Sequence, residues 1–365
     1  MFAVLDRLYR LRSSVALVES PGKLEMFRTN VRESLRIKLQ YENIIGLLAK
    51  FDGKTLARVI LGGEGIDFVD GEELITFLVE NHILIEVDCS YLPEVFGEKY
   101  RIINLIEDYV FSTAGVIEAL EKLSTSPVLI VGLGAVGTWV ATNLAQSGVA
   151  TFILVDDDIV DISNLHRQDG FFQDDVGAKK VDVIERRLQE ILKCNVIKIC
   201  DRLDEGFFVR HGLDFCLAIN CADYPSVDHT TELIGEYCMQ KKIPHLIGGG
   251  YNLHLSLIGQ SVLPGQSACV RCFRRALEKI NQADLEGVKK LNRLNRKIGS
   301  FGPVCAVSAS LTSSEAFKIL IGAFSRLATL NRRVEFRIRT ADFAFTEIEK
   351  NDNCEWCGSS GKYVC

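Results

Sequence analysis

The chain has 365 residues, 47% of them hydrophobic and 25% charged, with a formal net charge of −6. That balance belongs to a folded globular protein of about two domains, and the negative sum excludes a general nucleic-acid binder, which is usually basic. Asp6, Arg7, Arg10 and Arg12 interrupt the N-terminal apolar run, so it is neither a secretion signal nor a membrane anchor, and a cytoplasmic protein is expected.

Residues 1–95 form a first block. "FAVLDRLYRLR", "SVALVES" and "LEMFRT" alternate as a small antiparallel meander does. "YENIIGLLAKFDG" and "KTLARVILGG" read as two short helices divided by an Asp-Gly turn. "DGEELITFLVENHILIEVD" reads as a helix running into a strand. Together these make a small α+β unit of winged-helix type. Residues 96–125 are expected to be a linker helix, centred on "INLIEDYVFSTAGVIEALEKL".

From residue 126 to 365, strands and helices alternate. "VLIVGLG", "TFILVDDD", "CNVIKICDRL" and "FCLAINCAD" are strands, while "KKVDVIERRLQEILK" and "VDHTTELIGEYCMQKK" are helices. "PHLIGGGYN" and "HLSLIGQSVLP" add further strands. The succession predicts a Rossmann-like, doubly wound α/β sheet with ligands at the carboxyl ends of its strands. Arg274–Lys297 is crowded with basic residues, as a solvated amphipathic helix or a crossover above an active site would be. "GSFGPVCAVSASLTSSEAFKILIG" should be a helix packed closely on the sheet.

"GLGAVG" supplies the phosphate turn. Gly132 and Gly134 let backbone amides approach phosphate oxygens, and Gly137 opens the helix whose N-terminus favours negative charge. Asp156 follows by about twenty residues, where a carboxylate can bind ribose hydroxyls. This much fits any dinucleotide or mononucleotide binder. The extension "DDDIVDISNLHRQ" goes further: Arg167 offers forked donors to phosphate and Asn164 an amide donor. Lys180 enters at a helix start, and Asp223 ends a strand where one hard carboxylate suits Mg²⁺. In order, at successive strand ends, these residues point to a Mg-ATP site rather than a nicotinamide site.

With "GLGAVG", "DDDIVDISNLHRQ", "VGAKKV", "NCADYP" and two CxxC pairs, the chain from about residue 110 to 357 resembles the ThiF/MoeB family, relatives of ubiquitin-activating E1 enzymes. The resemblance implies adenylation of a carboxylate, with Asp156 on the ribose and with Asn164, Arg167 and Lys180 on the triphosphate. It also implies that Asp158 and Gln168 complete the pocket and that Asp223 holds magnesium. Arg167, Lys180 and Asp223 would then carry the catalysis. A homodimer is implied too. The family often supplies an arginine from the partner just before the Rossmann strand, where this chain offers only Arg101 and Lys99.

Cys269 with Cys272, and Cys354 with Cys357, are two thiolate pairs that can build a tetrahedral Cys₄ zinc site clipping the C-terminal segment onto the domain. In the ThiF/MoeB family such a zinc is structural. Cys305 reads as a buried packing thiol and His166 as a pocket wall, so neither is assigned a catalytic role.

The first block resembles the PqqD-like element that binds leader peptides by β-augmentation. A peptide-reading block followed by an adenylating domain resembles the enzymes that modify ribosomally made precursors of the microcin C7 and pantocin A type. That resemblance implies activation of a peptide carboxylate in antibiotic biosynthesis, with glutamate side-chain activation and cyclisation favoured. Activation of a short peptide's C-terminus, or of a ubiquitin-like sulfur carrier, is the alternative.

Overall fold

In the computed structural model, residues 3–20, 23–38, 43–252, 254–284 and 299–364 are described. They gather into two units, Met1–Glu121 and Lys122–Cys365. Of the basic stretch Arg274–Lys297, read above as solvated helix or crossover, the first part falls in the helix Val270–Asp284 and residues 285–297 lie outside the described residues.

The first unit opens with β1 (Leu8–Leu11), β2 (Val15–Ser20), β3 (Lys23–Arg28) and β4 (Glu33–Lys38). There follow α1 (Ile44–Ala49), β5 (Asp52–Leu56), α2 (Ala57–Gly63), α3 (Phe68–Glu80) and β6 (Leu84–Glu86). Of the expected meander only β2 and β3 pair as read; their third strand is β4, which was not anticipated, and β1 sits instead between β5 and β6. "DGKTL" is the main departure. Asp52 does form the turn, accepting the Lys54 and Thr55 N–H groups at 2.8 and 3.0 Å. The chain then pairs with β1 as β5 instead of entering a helix, which starts only at Ala57. Leu5, Leu24, Met26, Leu47, Leu61 and Ile75 form the apolar centre of this unit.

The expected single helix over "INLIEDYVFSTAGVIEALEKL" is two, α4 (Pro93–Ile106) and α5 (Thr113–Thr125). Tertiary bonds fix the break. Arg12, 2% exposed, donates to the Glu107 carbonyl and, at 2.8 Å, to that of Val110, satisfying orphan groups past the α4 terminus. Asp88 accepts the Ala114 N–H at 2.8 Å and so caps α5 from a distant part of the chain.

The second unit holds β7 (Val128–Val131), α6 (Gly137–Gln146), β8 (Thr151–Val155), α7 (Lys180–Ile191) and β9 (Asn195–Ile199). It continues with α8 (Phe207–His211), β10 (Leu217–Asn220), α9 (Val227–Lys241), β11 (His245–Ile247), β12 (Gly250–Asn252), β13 (Leu255–Ile258) and β14 (Ser261–Val262). The last elements are α10 (Val270–Asp284), α11 (Gly302–Leu320), β15 (Arg332–Arg337) and β16 (Asp342–Glu347). Its main sheet runs β14-β11-β10-β7-β8-β9, parallel except for β14. All four residues of β7 and of β10 are buried, as strands covered on both faces require. Leu129, Val131, Ile153 and Ala218 pack with Phe207 of α8 and Ile234 of α9 on one face. The alternating residues turn to the other face.

A second sheet, β12-β13-β15-β16, is antiparallel throughout. Its hairpin β15–β16 was not anticipated. The small-residue helix is where expected: α11 approaches β13 closely enough for Ser256 Oγ to donate to the Val304 carbonyl at 2.5 Å.

Candidate functional site

The carboxyl ends of β7, β8, β9 and β10 surround a cavity of about 680 Å³, within the range of ligand sites. The sheet order reverses between β7 and β10, and crevices at such switch points are where doubly wound sheets bind ligands.

The glycines divide the work. Gly132 has φ +92°, and a Cβ there would lie 2.7 Å from the Ala222 nitrogen, so the turn tolerates nothing larger. A Cβ on Gly137 would fall 1.9 Å from the Gly132 carbonyl oxygen, so the helix meets the strand only because this residue is bare. Gly134 faces open space. The α6 N-terminus has no side-chain cap at Val136, although the Thr138 N–H is taken by the Gly134 carbonyl at 3.2 Å.

Asp156 lies at the end of β8. One carboxylate oxygen accepts the Leu133 N–H at 2.5 Å and the other the Asp158 N–H at 2.9 Å. Burial raises its pKa, opposed by the nearby Lys180 and by these two N–H donors. Lys180, 5% exposed, is the first residue of α7, and its Nζ lies 2.9 Å from Asp158 Oδ2. Asp158 therefore acts first on Lys180, aiming the ammonium into the cavity.

The loop after β8 is a short 3₁₀ turn, Ile162–Asn164. The Asn164 side-chain oxygen accepts the Asp161 N–H at 2.9 Å, which orients the amide and leaves its NH₂ as a donor at the cavity wall. Arg167 donates to the Ser163 carbonyl and has no carboxylate partner among the described residues. Gln168 is 8% exposed, and its Oε1 is buried without a hydrogen-bond partner, an acceptor held ready for a ligand's donor.

Asp223 stands exposed at the mouth, beyond β10. Five carboxylates (Asp156, Asp157, Asp158, Asp201, Asp223) and three cationic side chains (Arg167, Lys180, Arg202) line the cavity. Three of these carboxylates are ion-paired, Asp157 to Arg202, Asp158 to Lys180 and Asp201 to Arg210.

The structure thus brings Gly132, Gly134, Asp156, Asp158, Asn164, Arg167, Gln168, Lys180 and Asp223 to one cavity, with Gly137 just behind it. Sequence reading missed several lining residues, among them Asp157, Asp201, Arg202 and Tyr224. It also missed an adjoining apolar cavity of about 390 Å³ that shares Val227, Gly249 and Gly250 with the first. His166 is exposed, and Cys305 is fully buried with its thiol pKa raised by that burial. Lys99 and Arg101 lie on α4 in the first unit.

The second cluster is formed by Cys269, Cys272, Cys354 and Cys357, all buried, with their sulfurs within 4.8 Å of one another. Cys269 to Cys354 is 3.5 Å, Cys272 to Cys357 is 3.4 Å, and Cys269 to Cys272 is 4.0 Å. A tetrahedron with Zn–S bonds of about 2.3 Å has edges of about 3.8 Å, so the four sulfurs fit zinc. Hydrogen bonding from Cys269, then from Cys357, holds the Cys272 thiol below its ordinary pKa and favours a thiolate. Around the cluster, Arg271 lies 4.3 Å over the Trp356 ring and bonds Glu232 and Glu355, tying the C-terminal segment to α9 and α10.

The ThiF family model matches residues 108–356. Among curated relatives, the chain is 28% identical over 247 residues to the sulfur carrier protein ThiS adenylyltransferase of Escherichia coli K12, covering 67% of this chain and 90% of that one. Among solved structures, E. coli MccB crystallised with AMPCPP and MccA superposes with a TM-score of 0.74 at 22% identity, over 96% of this chain and 99% of that one. PaaA superposes with a TM-score of 0.68 at 21% identity, over 93% and 100%. Fold and family agree with the geometry of the nucleotide cavity: the chain belongs to the ThiF family and is an ATP-dependent adenylyltransferase.

Proposed function

We propose that the chain activates a carboxylate of a ribosomally made precursor peptide, which the first unit reads through its leader. The observation that carries this reading is coverage. The ThiF model begins at residue 108, whereas the likeness to MccB, crystallised with the peptide MccA, extends over 96% of the chain and so takes in the first unit. The antiparallel sheets there end in edge strands that suit β-augmentation.

In this reading the glycine turn and the α6 N-terminus cradle the phosphates, Asp156 holds the ribose, and Asn164, Arg167 and Lys180 neutralise charge on the phosphoryl oxygens. The peptide carboxylate oxygen attacks the α-phosphorus. The α–β phosphoanhydride bond breaks, pyrophosphate departs, and an acyl-adenylate remains. Magnesium, held by Asp223, would screen the phosphates. The protein's share is positioning and preorganised charge. The Cys₄ cluster would hold a structural zinc, and a homodimer would let Lys99 or Arg101 act on the partner's nucleotide.

Glutamate side-chain activation followed by intramolecular attack is the favoured outcome, placing the enzyme in peptide antibiotic biosynthesis in the cytoplasm. Activation of a sulfur carrier is the second reading, favoured by the 28% identity to the ThiS adenylyltransferase. Mass spectrometry after incubation with Mg-ATP separates them. A precursor peptide that loses water supports the first; modification only of a carrier ending in Gly-Gly supports the second.

A further inference from the structure

The apolar cavity of about 390 Å³ beside the nucleotide cavity has the size of a ligand site. Ile247, Leu257, Ile258, Phe273, Leu277 and Val334 line it, drawn from β11, β13, α10 and β15. Its three arginines are already engaged by carboxylates. Arg271 Nε and Arg274 Nη1 donate to Glu232 at 3.0 and 2.5 Å, and Arg333 Nε donates to Glu335 at 2.8 Å. An anion finds no free arginine there. An uncharged apolar group finds a wall whose covering removes apolar surface from water.

Val227, Gly249 and Gly250 line both cavities and form the border between them. The two glycines are bare for different reasons. Gly249 has φ +76°, and a Cβ there would collide with Ser308 Oγ and the Leu257 carbonyl, so the packing demands it. Gly250 pairs with Leu257 in the antiparallel sheet without a positive φ, and a Cβ there would meet no atom within 4 Å. Neither backbone nor packing requires glycine at 250. A strand glycine without such a need marks a place where a ligand approaches the backbone closely. Here it leaves the border between the two cavities uncovered.

We propose that the apolar cavity holds the side chain next to the activated carboxylate, so that the substrate carries a large apolar residue beside its reacting carboxyl group. A tail ending in Gly-Gly would leave this cavity empty. The inference rests on the peptide-activating reading above and adds the side chain that the enzyme selects.

The test uses three acyl sulfamates of adenosine, in which the sulfamate replaces the phosphate of the acyl-adenylate. They carry N-acetylglycine, N-acetylleucine and N-acetylphenylalanine, and calorimetry on the full chain ranks their affinities. Burial of one large apolar side chain corresponds to at least about tenfold in affinity. The leucyl and phenylalanyl analogues should therefore bind at least about tenfold more tightly than the glycyl one. Leu277 is half-buried and lines only the apolar cavity. Leu277→Trp should remove the preference by filling the space, Leu277→Ala should keep it, and both should bind Mg-ATP as the parent does. Equal affinity of the glycyl and leucyl analogues in the parent would overturn the proposal. So would a leucyl preference that survives Leu277→Trp in a chain with normal Mg-ATP binding. Failure of the peptide reading looks different: the leucyl preference would hold while precursor peptides stay unmodified.

Discussion

The Asp156 carboxylate accepts the Leu133 N–H at 2.5 Å, so the residue proposed for the ribose also fixes the backbone turn proposed for the phosphates. Strand β8 and the glycine turn are coupled through a single side chain, so under the proposed function a change there should affect both ribose and phosphate contacts.

Asp156→Ala should therefore weaken ATP by roughly ten- to hundredfold, the range for hydrogen bonds to a charged group. Asp156→Asn keeps an oxygen for Leu133 and should retain more of the affinity. Calorimetry on the two variants checks the order, and equal losses would show that the charge alone matters.

Lys180 is held 2.9 Å from Asp158. Lys180→Met should cut turnover by about a hundredfold, the scale for one preorganised charge at a developing anion. Asp158→Asn leaves the ammonium but frees its direction, so its loss should be smaller. Steady-state rates at saturating ATP distinguish the two, and a larger defect in Asp158→Asn would give Asp158 a direct role.

The sulfur spacings predict one zinc per chain. Trp356 is buried against the cluster, and the chain's other tryptophan is Trp139 in the same unit, so tryptophan fluorescence reports on this half of the protein. Cys354→Ser should lose the metal and lower the melting temperature of that fluorescence transition. A metal-free parent of equal stability would remove zinc from the account.

His245 is fully buried in the parallel sheet, and its Nε2 has no hydrogen-bond partner. Burial pushes its pKa down to about 4. An unfolded histidine titrates near 6.5, so between these values the unfolded chain binds more protons and stability rises with pH. The contribution is complete above about pH 6.5 and is lost as pH falls toward 4. Between pH 7 and 5 it amounts to roughly 2 kcal/mol. Urea titrations of the parent and of His245→Asn should differ in pH slope by about that amount, and parallel slopes would contradict it.

What the sequence showed was whatever depends on neighbours in the chain. "GLGAVG", the aspartates after β8, "SNLHRQ" and each CxxC pair carry their geometry within a few residues, and the structure gathers them as expected. The contacts of Arg202 with Asp157 and with the Tyr224 ring were not legible, because they join residues that follow three different strands and become neighbours only once the sheet order is known. Likewise, Asp52 announced a turn but not the pairing with β1 that makes "DGKTL" a strand. The break between α4 and α5 depends on Arg12 and Asp88, which lie outside the segment they interrupt. β15 does carry an alternating pattern, Val334 and Phe336 between Arg333, Glu335 and Arg337, so that strand was legible and was passed over, whereas Phe343, Ala344 and Phe345 of β16 do not alternate.

The most direct test of the account is exchange of labelled pyrophosphate into ATP by the full chain, with magnesium and a precursor peptide. Attack at the α-phosphorus predicts peptide-dependent label in ATP, abolished in Arg167→Ala. Release of ADP and phosphate without exchange would place the attack at the γ-phosphorus and contradict adenylation.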